Sequence, residues 1–157
     1  MKKSIIISII LSMAVLISCF SMPVYAAEEK IVSSTTTEYF DDDSYMVITI
    51  TEEMNNSRAT TKTASKTANY KNSDGDILWT YKITGTFSYT GSSSTCTAVS
   101  DSYTISNSSW HMDSHSTSRS GNTAYGTVTM KRKVLGITTN TVSKDLSLTC
   151  SATGVLS

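Results

Sequence analysis

Proline is nearly missing from this sequence: Pro23 is the single one in 157 residues. Beyond it, nothing removes an N–H from a strand ladder and no X–Pro bond has to isomerise. An excess of charge is also missing, with 13 Lys and Arg against 13 Asp and Glu. A nucleic-acid binder needs a dense basic footprint, so that class is excluded. There are three cysteines and no C-x-x-C pair, which excludes a zinc ribbon and a thioredoxin-like centre. No P-loop, dinucleotide fingerprint, HExxH or G-x-S-x-G elbow is present. The length is that of one domain, too short for a multidomain enzyme, and the composition is not that of a collagen or a Pro-rich linker.

The first 26 residues have the layout of a signal peptide. Lys2 and Lys3 form a positive start, Ser4 to Phe20 an apolar stretch, and Val24-Tyr25-Ala26 a cleavage site of the kind a signal peptidase reads. No second apolar run follows, so the expectation is export and release into the extracellular medium. Leu16-Ile17-Ser18-Cys19 offers a rival, a lipobox that would anchor the chain by a lipid on Cys19. A polar tether should then follow, and Phe20, Met22, Pro23 and Val24 do not supply one. Cys96 and Cys150 remain in the mature chain, and an even count in an exported protein predicts a disulfide between them. Closing that loop would stabilise the fold by about 4 kcal/mol in the chain-entropy picture.

What the sequence has in plenty is Ser, Thr and β-branched residues, which disfavour helix. Apolar residues recur with period two, the strand period. Between Ile77 and Thr90, the residues Ile77, Trp79, Tyr81, Ile83, Phe87 and Tyr89 share one face, with Leu78 the exception. Gly85 falls where the next large side chain belongs and predicts a bulge or bend. Asn72-Ser73-Asp74-Gly75 predicts a hairpin between residues 63–71 and this strand. Further strands are expected over 32–40, 44–52, 95–105, 110–116, 123–133 and 139–150, separated by turn signals. The fold expected is all-β, an antiparallel β-sandwich of about eight strands, with a β-barrel as the alternative. Residues 27–56 form an acidic N-terminal hairpin or tail, and residues 57–157 the sandwich domain. Residues 27–53 hold eight acids and one base, whereas 54–157 hold five acids and ten bases, so the two stretches can attract each other.

His111, Asp113 and His115 are the sharpest candidate site. At i, i+2, i+4 on a strand they project from one face, and two imidazoles with a carboxylate suit zinc, with water or Asp101 completing the shell. That is the basis of one functional alternative, a metal-dependent hydrolase. The plain alternative is a polar strand face opposite Trp110 and Met112. Asp41, Asp42 and Asp43 suit Ca²⁺ or, more simply, a solvated turn. Lys131, Arg132 and Lys133 lead into Val134-Leu135-Gly136-Ile137, a basic strand end beside an apolar hairpin tip. Such a tip suits an anionic surface such as a membrane or a cell-wall polymer. Trp79 lies in the apolar stripe and is expected in the core, while Trp110 borders a Ser-rich loop and is the candidate for stacking on a glycan.

At Lys62-Thr-Ala-Ser-Lys-Thr-Ala, Asn72-Ser-Asp-Gly, Leu78-Trp79, Gly85-Thr-Phe-Ser-Tyr, Ser94-Thr-Cys96 and Leu148-Thr-Cys150-Ser, the chain resembles a group of small secreted proteins of Gram-positive bacteria. The resemblance covers residues 62–157. That group has no assigned activity, so the resemblance implies no catalytic residue and no cofactor. It adds weight to pairing Cys96 with Cys150, and His111 and His115 fall outside its motifs. The function expected is a secreted, non-enzymatic extracellular binding domain. A secreted antagonist or toxin acting at cell envelopes through residues 131–137 is the third alternative.

Overall fold

The computed structural model describes residues 30–53 and 60–157. The expected signal segment 1–26, with Cys19, and most of the 57–61 linker lie outside the described residues. Eight strands follow one another: β1 Lys30–Tyr39, β2 Tyr45–Glu53, β3 Thr61–Lys71, β4 Ile77–Tyr89, β5 Ser94–Ile105, β6 Trp110–Ser120, β7 Thr123–Val134 and β8 Ile137–Thr149. Each pairs antiparallel with its chain neighbour within two sheets, one ordered β1-β2-β3-β4-β5 and one ordered β6-β7-β8. Among the described residues no ladder joins the two sheets, so the sandwich stands and the barrel alternative does not. The acidic hairpin forms β1 and β2 and continues the larger sheet, with Met46, Ile48 and Ile50 in the core.

The core is what the alternation implies. β4 lies between β3 and β5 and buries Trp79, Tyr81, Ile83 and Phe87 completely. The small sheet answers with Trp110, Ala124, Val128, Met130, Val142, Leu146 and Leu148. Tyr70 stacks on Trp79 at 5.2 Å and meets Trp110 edge-on at 5.3 Å, so three large rings close one end of the sandwich. Trp110 is only 3% exposed, which corrects its expected place on the surface: the packing against Tyr70 and Trp79 holds it inside. Ile77, by contrast, is 41% exposed. The ladder slips there, pairing Lys71 with Ile77 and leaving Leu78 as an extra residue.

Two glycines set how closely the sheets approach. A Cβ on Gly126 would meet Ile83 Cγ2 and lie 2.7 Å from Tyr81 Oη. A Cβ on Gly85 would lie 2.7 Å from the Phe87 ring of its own strand and 3.1 Å from Ala124 Cβ of the facing sheet, and this crowding, with no register slip at Gly85 itself, is why glycine stands there. The nearby slip lies between Thr86 and Phe87, where β5 carries the extra residue Thr97.

The expected Cys96–Cys150 disulfide is not formed in this structure. Both cysteines are buried free thiols. The Cys96 thiol donates to Ala98 O at 3.3 Å and the Cys150 thiol to Ser151 O at 3.6 Å, each engaging its own segment. Both nonetheless sit against the same turn: Cys96 N donates to Gly121 O and Cys150 N to Asn122 O.

Polar side chains lace the open sides of the sandwich. Where β5 faces β6, Arg119 donates to Cys96 O at 2.9 Å. On the other side, Lys66 of β3 reaches Ser147 O at 2.8 Å and Lys144 of β8 pairs with Glu38 of β1 at 2.6 Å. Lys62 pairs with Glu52 at 2.7 Å and also donates to Gly154 O. The acidic first hairpin is thus held by bases from later strands.

Candidate functional site

The His111–Asp113–His115 reading fails on register. Met112 pairs with Met130, but Ser114 pairs with Thr129, so Asp113 is the extra residue of a β-bulge. Residues opposite one another share a face. His111 is opposite Lys131, on the solvent face, whereas His115 is opposite Val128, which is buried. The bulge therefore turns the two imidazoles to opposite sides of β6. Asp113 instead pairs with Lys131 at 2.9 Å. Among the described residues no group of three or more His, Cys, Asp or Glu gathers where it would hold a metal. The zinc alternative loses its ligand set.

His115 finds a different partner. Its Nδ1 lies 2.7 Å from Asp101 Oδ2, across the gap between β6 and β5. The Tyr81 hydroxyl also donates to Asp101 Oδ2, at 3.0 Å. Burial, and then the neighbouring carboxylate, push the Tyr81 phenol far above its ordinary range. The alternation of Val99, Asp101, Tyr103 and Ile105 is the sequence signal that marks Asp101 as inward-facing, and metal-ligand spacing does not reveal it. An Asp101 Oδ2 held between a phenol and an imidazole orients and ties; among the described residues no serine, threonine or cysteine is hydrogen-bonded to His115 to act as a nucleophile.

The β7–β8 tip is the more exposed feature. Val134 pairs with Ile137, and Leu135 and Gly136 connect them with φ of 52° and 80°. Two left-handed residues make a two-residue turn of the type that suits a twisted hairpin. Gly takes that conformation freely; Leu does so at a cost of about 1–2 kcal/mol. The β6 ladder ends at Trp110–Arg132, Lys133 N still donates to Ser109 O at 2.8 Å, and beyond that the hairpin runs on with no third strand among the described residues. Leu135 is 98% exposed, Ile137 69% and Val134 45%, and every residue from Arg132 to Thr139 is exposed. Lys133 and Arg132 stand at its base, while Lys131 is committed to Asp113.

Beside this hairpin, a cleft of about 370 Å³ opens between Phe40, Asp41 and Asp42 of the β1–β2 turn and Asn140 to Ser143 of β8. Buried Tyr70 and Val142 complete its lining. Ser44 is buried and donates to Asp42 from both its N–H and its hydroxyl, and its Oγ lies 2.7 Å from Tyr70 Oη. The hydroxyl bond from Ser44, more than any other contact, holds the Asp42 carboxyl below its usual range, so it is ionised at neutral pH. Asp41, Asp42 and Asp43 enter none of the ion pairs formed among the described residues. The Asp triplet suggests a turn; that it walls a cleft with Tyr70 depends on the pairing of β2 with β3, which composition does not reveal.

No protein-family model matches this chain, and no curated protein or solved structure does either.

Proposed function

We propose that the chain is a secreted, non-enzymatic interaction domain whose docking element is the β7–β8 hairpin tip. The observation that carries this is Leu135, presented almost wholly to solvent in a left-handed conformation that leucine rarely adopts. Strain of this kind persists where the surrounding structure enforces it, and it clusters at working sites. Exposed apolar side chains gathered at one projecting tip belong to contact surfaces rather than to a solvated turn. The signal-like segment and the likeness to small secreted Gram-positive proteins support the extracellular setting.

The test is a binding panel of purified cell wall, anionic vesicles and the chain itself. Leu135→Asp is expected to abolish whichever association the unaltered protein shows. Tyr125→Asp, at an exposed aromatic away from the tip, is expected to leave it intact. Equal loss in both variants overturns the assignment. An envelope-directed antagonist is a second reading of the same tip, drawing on Arg132 and Lys133; release of dye from anionic vesicles would favour it.

The Cys96–Cys150 crosslink also belongs to this proposal. Its support is that both cysteines are buried against the Gly121–Asn122 turn. An extracellular thiol–disulfide exchange partner would accept the two electrons and two protons as the S–S bond forms. Alkylation of denatured protein with and without prior reduction decides it: thiols that label without reductant remove the crosslink.

A further inference from the structure

The tip and the cleft lie side by side, and their chemistries are complementary. The tip is apolar with a basic base, Lys133 and Arg132. The cleft is apolar within, at Phe40 and Val142, and carries at its mouth the carboxylates of Asp41 and Asp42, which enter no ion pair among the described residues. Both features use β8: the tip ends at Ile137 and the cleft begins at Asn140. A tip cannot fold back into the cleft of its own chain, because its two strands are paired in register to Val134–Ile137. It can enter the cleft of another chain.

We propose that the partner of the hairpin tip is a second copy of this chain, with Leu135 of each copy seated in the other's cleft and Lys133 facing Asp41. This rests on the reading of the tip as a docking element and names its partner. A two-fold axis beside β8 makes the same contact twice, the closed arrangement most dimers adopt. Charge favours this occupant over an anionic surface. The turns at the tip's end of the sandwich carry Asp41, Asp42, Asp43, Asp74 and Asp76. An anionic membrane or wall polymer would be repelled by those carboxylates, whereas a basic tip is drawn to them.

Sedimentation velocity over a concentration series tests this on the purified protein. The unaltered chain is expected to form a reversible dimer. Leu135→Asp, Lys133→Glu and Asp41→Lys are each expected to weaken it by about tenfold or more, as central contacts do. All three substitutions lie at exposed positions, and an unchanged circular dichroism spectrum separates lost association from lost folding. An equimolar mixture of Lys133→Glu with Asp41→Lys is expected to dimerise more tightly than either variant alone. In that mixed pair the two introduced charges, opposite in sign, face each other across one contact, and the other contact keeps Lys133 against Asp41. A monomer at every concentration, or a dimer untouched by Leu135→Asp, overturns the proposal. If the monomer instead binds phosphatidylglycerol vesicles in a Leu135-dependent way, the second copy is wrong and the docking reading survives. If Leu135→Asp changes neither association, both fall.

Discussion

Asp101 on β5 and His115 on β6 meet at 2.7 Å, which makes a polar clasp between the edge strands of two sheets that share no ladder among the described residues. Asp101 also accepts the hydroxyl of fully buried Tyr81. The two partners differ in what their loss leaves behind. Removing the imidazole frees one bond of a carboxylate that still holds Tyr81 and can reach water. Removing the carboxylate strips a buried phenol of its better acceptor. We predict that Asp101→Ala costs about 1–3 kcal/mol, and His115→Ala at most about 1 kcal/mol, read from urea midpoints. Equal costs would mean that the imidazole contact, not the phenol, is the interaction that matters.

Alkaline pH should loosen the fold through its buried phenols. Burial raises both Tyr70 and Tyr81 above the ordinary 10.0, and Asp101 adds to the effect on Tyr81. Below pH 10 folded and unfolded chains both keep these protons, so no stability depends on them. Above it the unfolded chain ionises its phenols while the folded chain holds on, and stability falls as pH rises. We predict a urea midpoint that drops beyond pH 10, with phenolate absorbance from these two residues appearing only as the chain unfolds. Tyr81→Phe should flatten the drop.

Gly126 sets the spacing between the layers at Ile83 and Tyr81. Gly126→Ala puts a methyl where Ile83 Cγ2 and the Tyr81 hydroxyl already sit, and overpacking of this kind costs about 1–3 kcal/mol. Thermal unfolding of that variant checks it. A loss smaller than the lower figure would mean that the small sheet slides freely over the large one.

The Cys96 thiol is raised by burial, only partly offset by the nearby Arg119 charge. The thiolate is the reactive form. In Cys150→Ser, Cys96 is therefore predicted to resist alkylation at neutral pH in the folded chain and to label rapidly in denaturant. Rapid labelling of the folded variant would show that the turn at Gly121–Asn122 opens readily.

The strands are legible in the sequence because nearly every one alternates. Trp79, Tyr81, Ile83 and Phe87 can only be a core stripe, and Leu135-Gly136 can only be a turn. What alternation does not carry is the count of residues on each side of a ladder. One extra residue at Asp113 sends His115 to the opposite face from His111, and nothing in Met112-Asp113-Ser114 signals it. The same limit places Ile77 in the core stripe, although the slip at Leu78 leaves it 41% exposed. Trp110 reads as exposed because its sequence neighbours are serines, while its neighbours in space are Tyr70 and Trp79. The tip is readable as apolar and basic. Its projection is not, since it depends on β6 ending its pairing at Arg132.

Leu135 should set stability against association. Its left-handed backbone suits Asn or Gly, whereas leucine has to be held there. With 98% of its surface in solvent, it gains almost nothing from packing in the single chain. Leu135→Asn is therefore predicted to stabilise the monomer by about 1 kcal/mol, the strain released, and to weaken dimerisation in the same preparation. Urea unfolding at a concentration where the protein is monomeric gives the first quantity and sedimentation the second. The opposite signs distinguish a residue presented for contact from one that merely fills a turn: a filler would raise stability and leave association alone. A variant less stable than the original chain would instead show that Leu135 packs against its own hairpin.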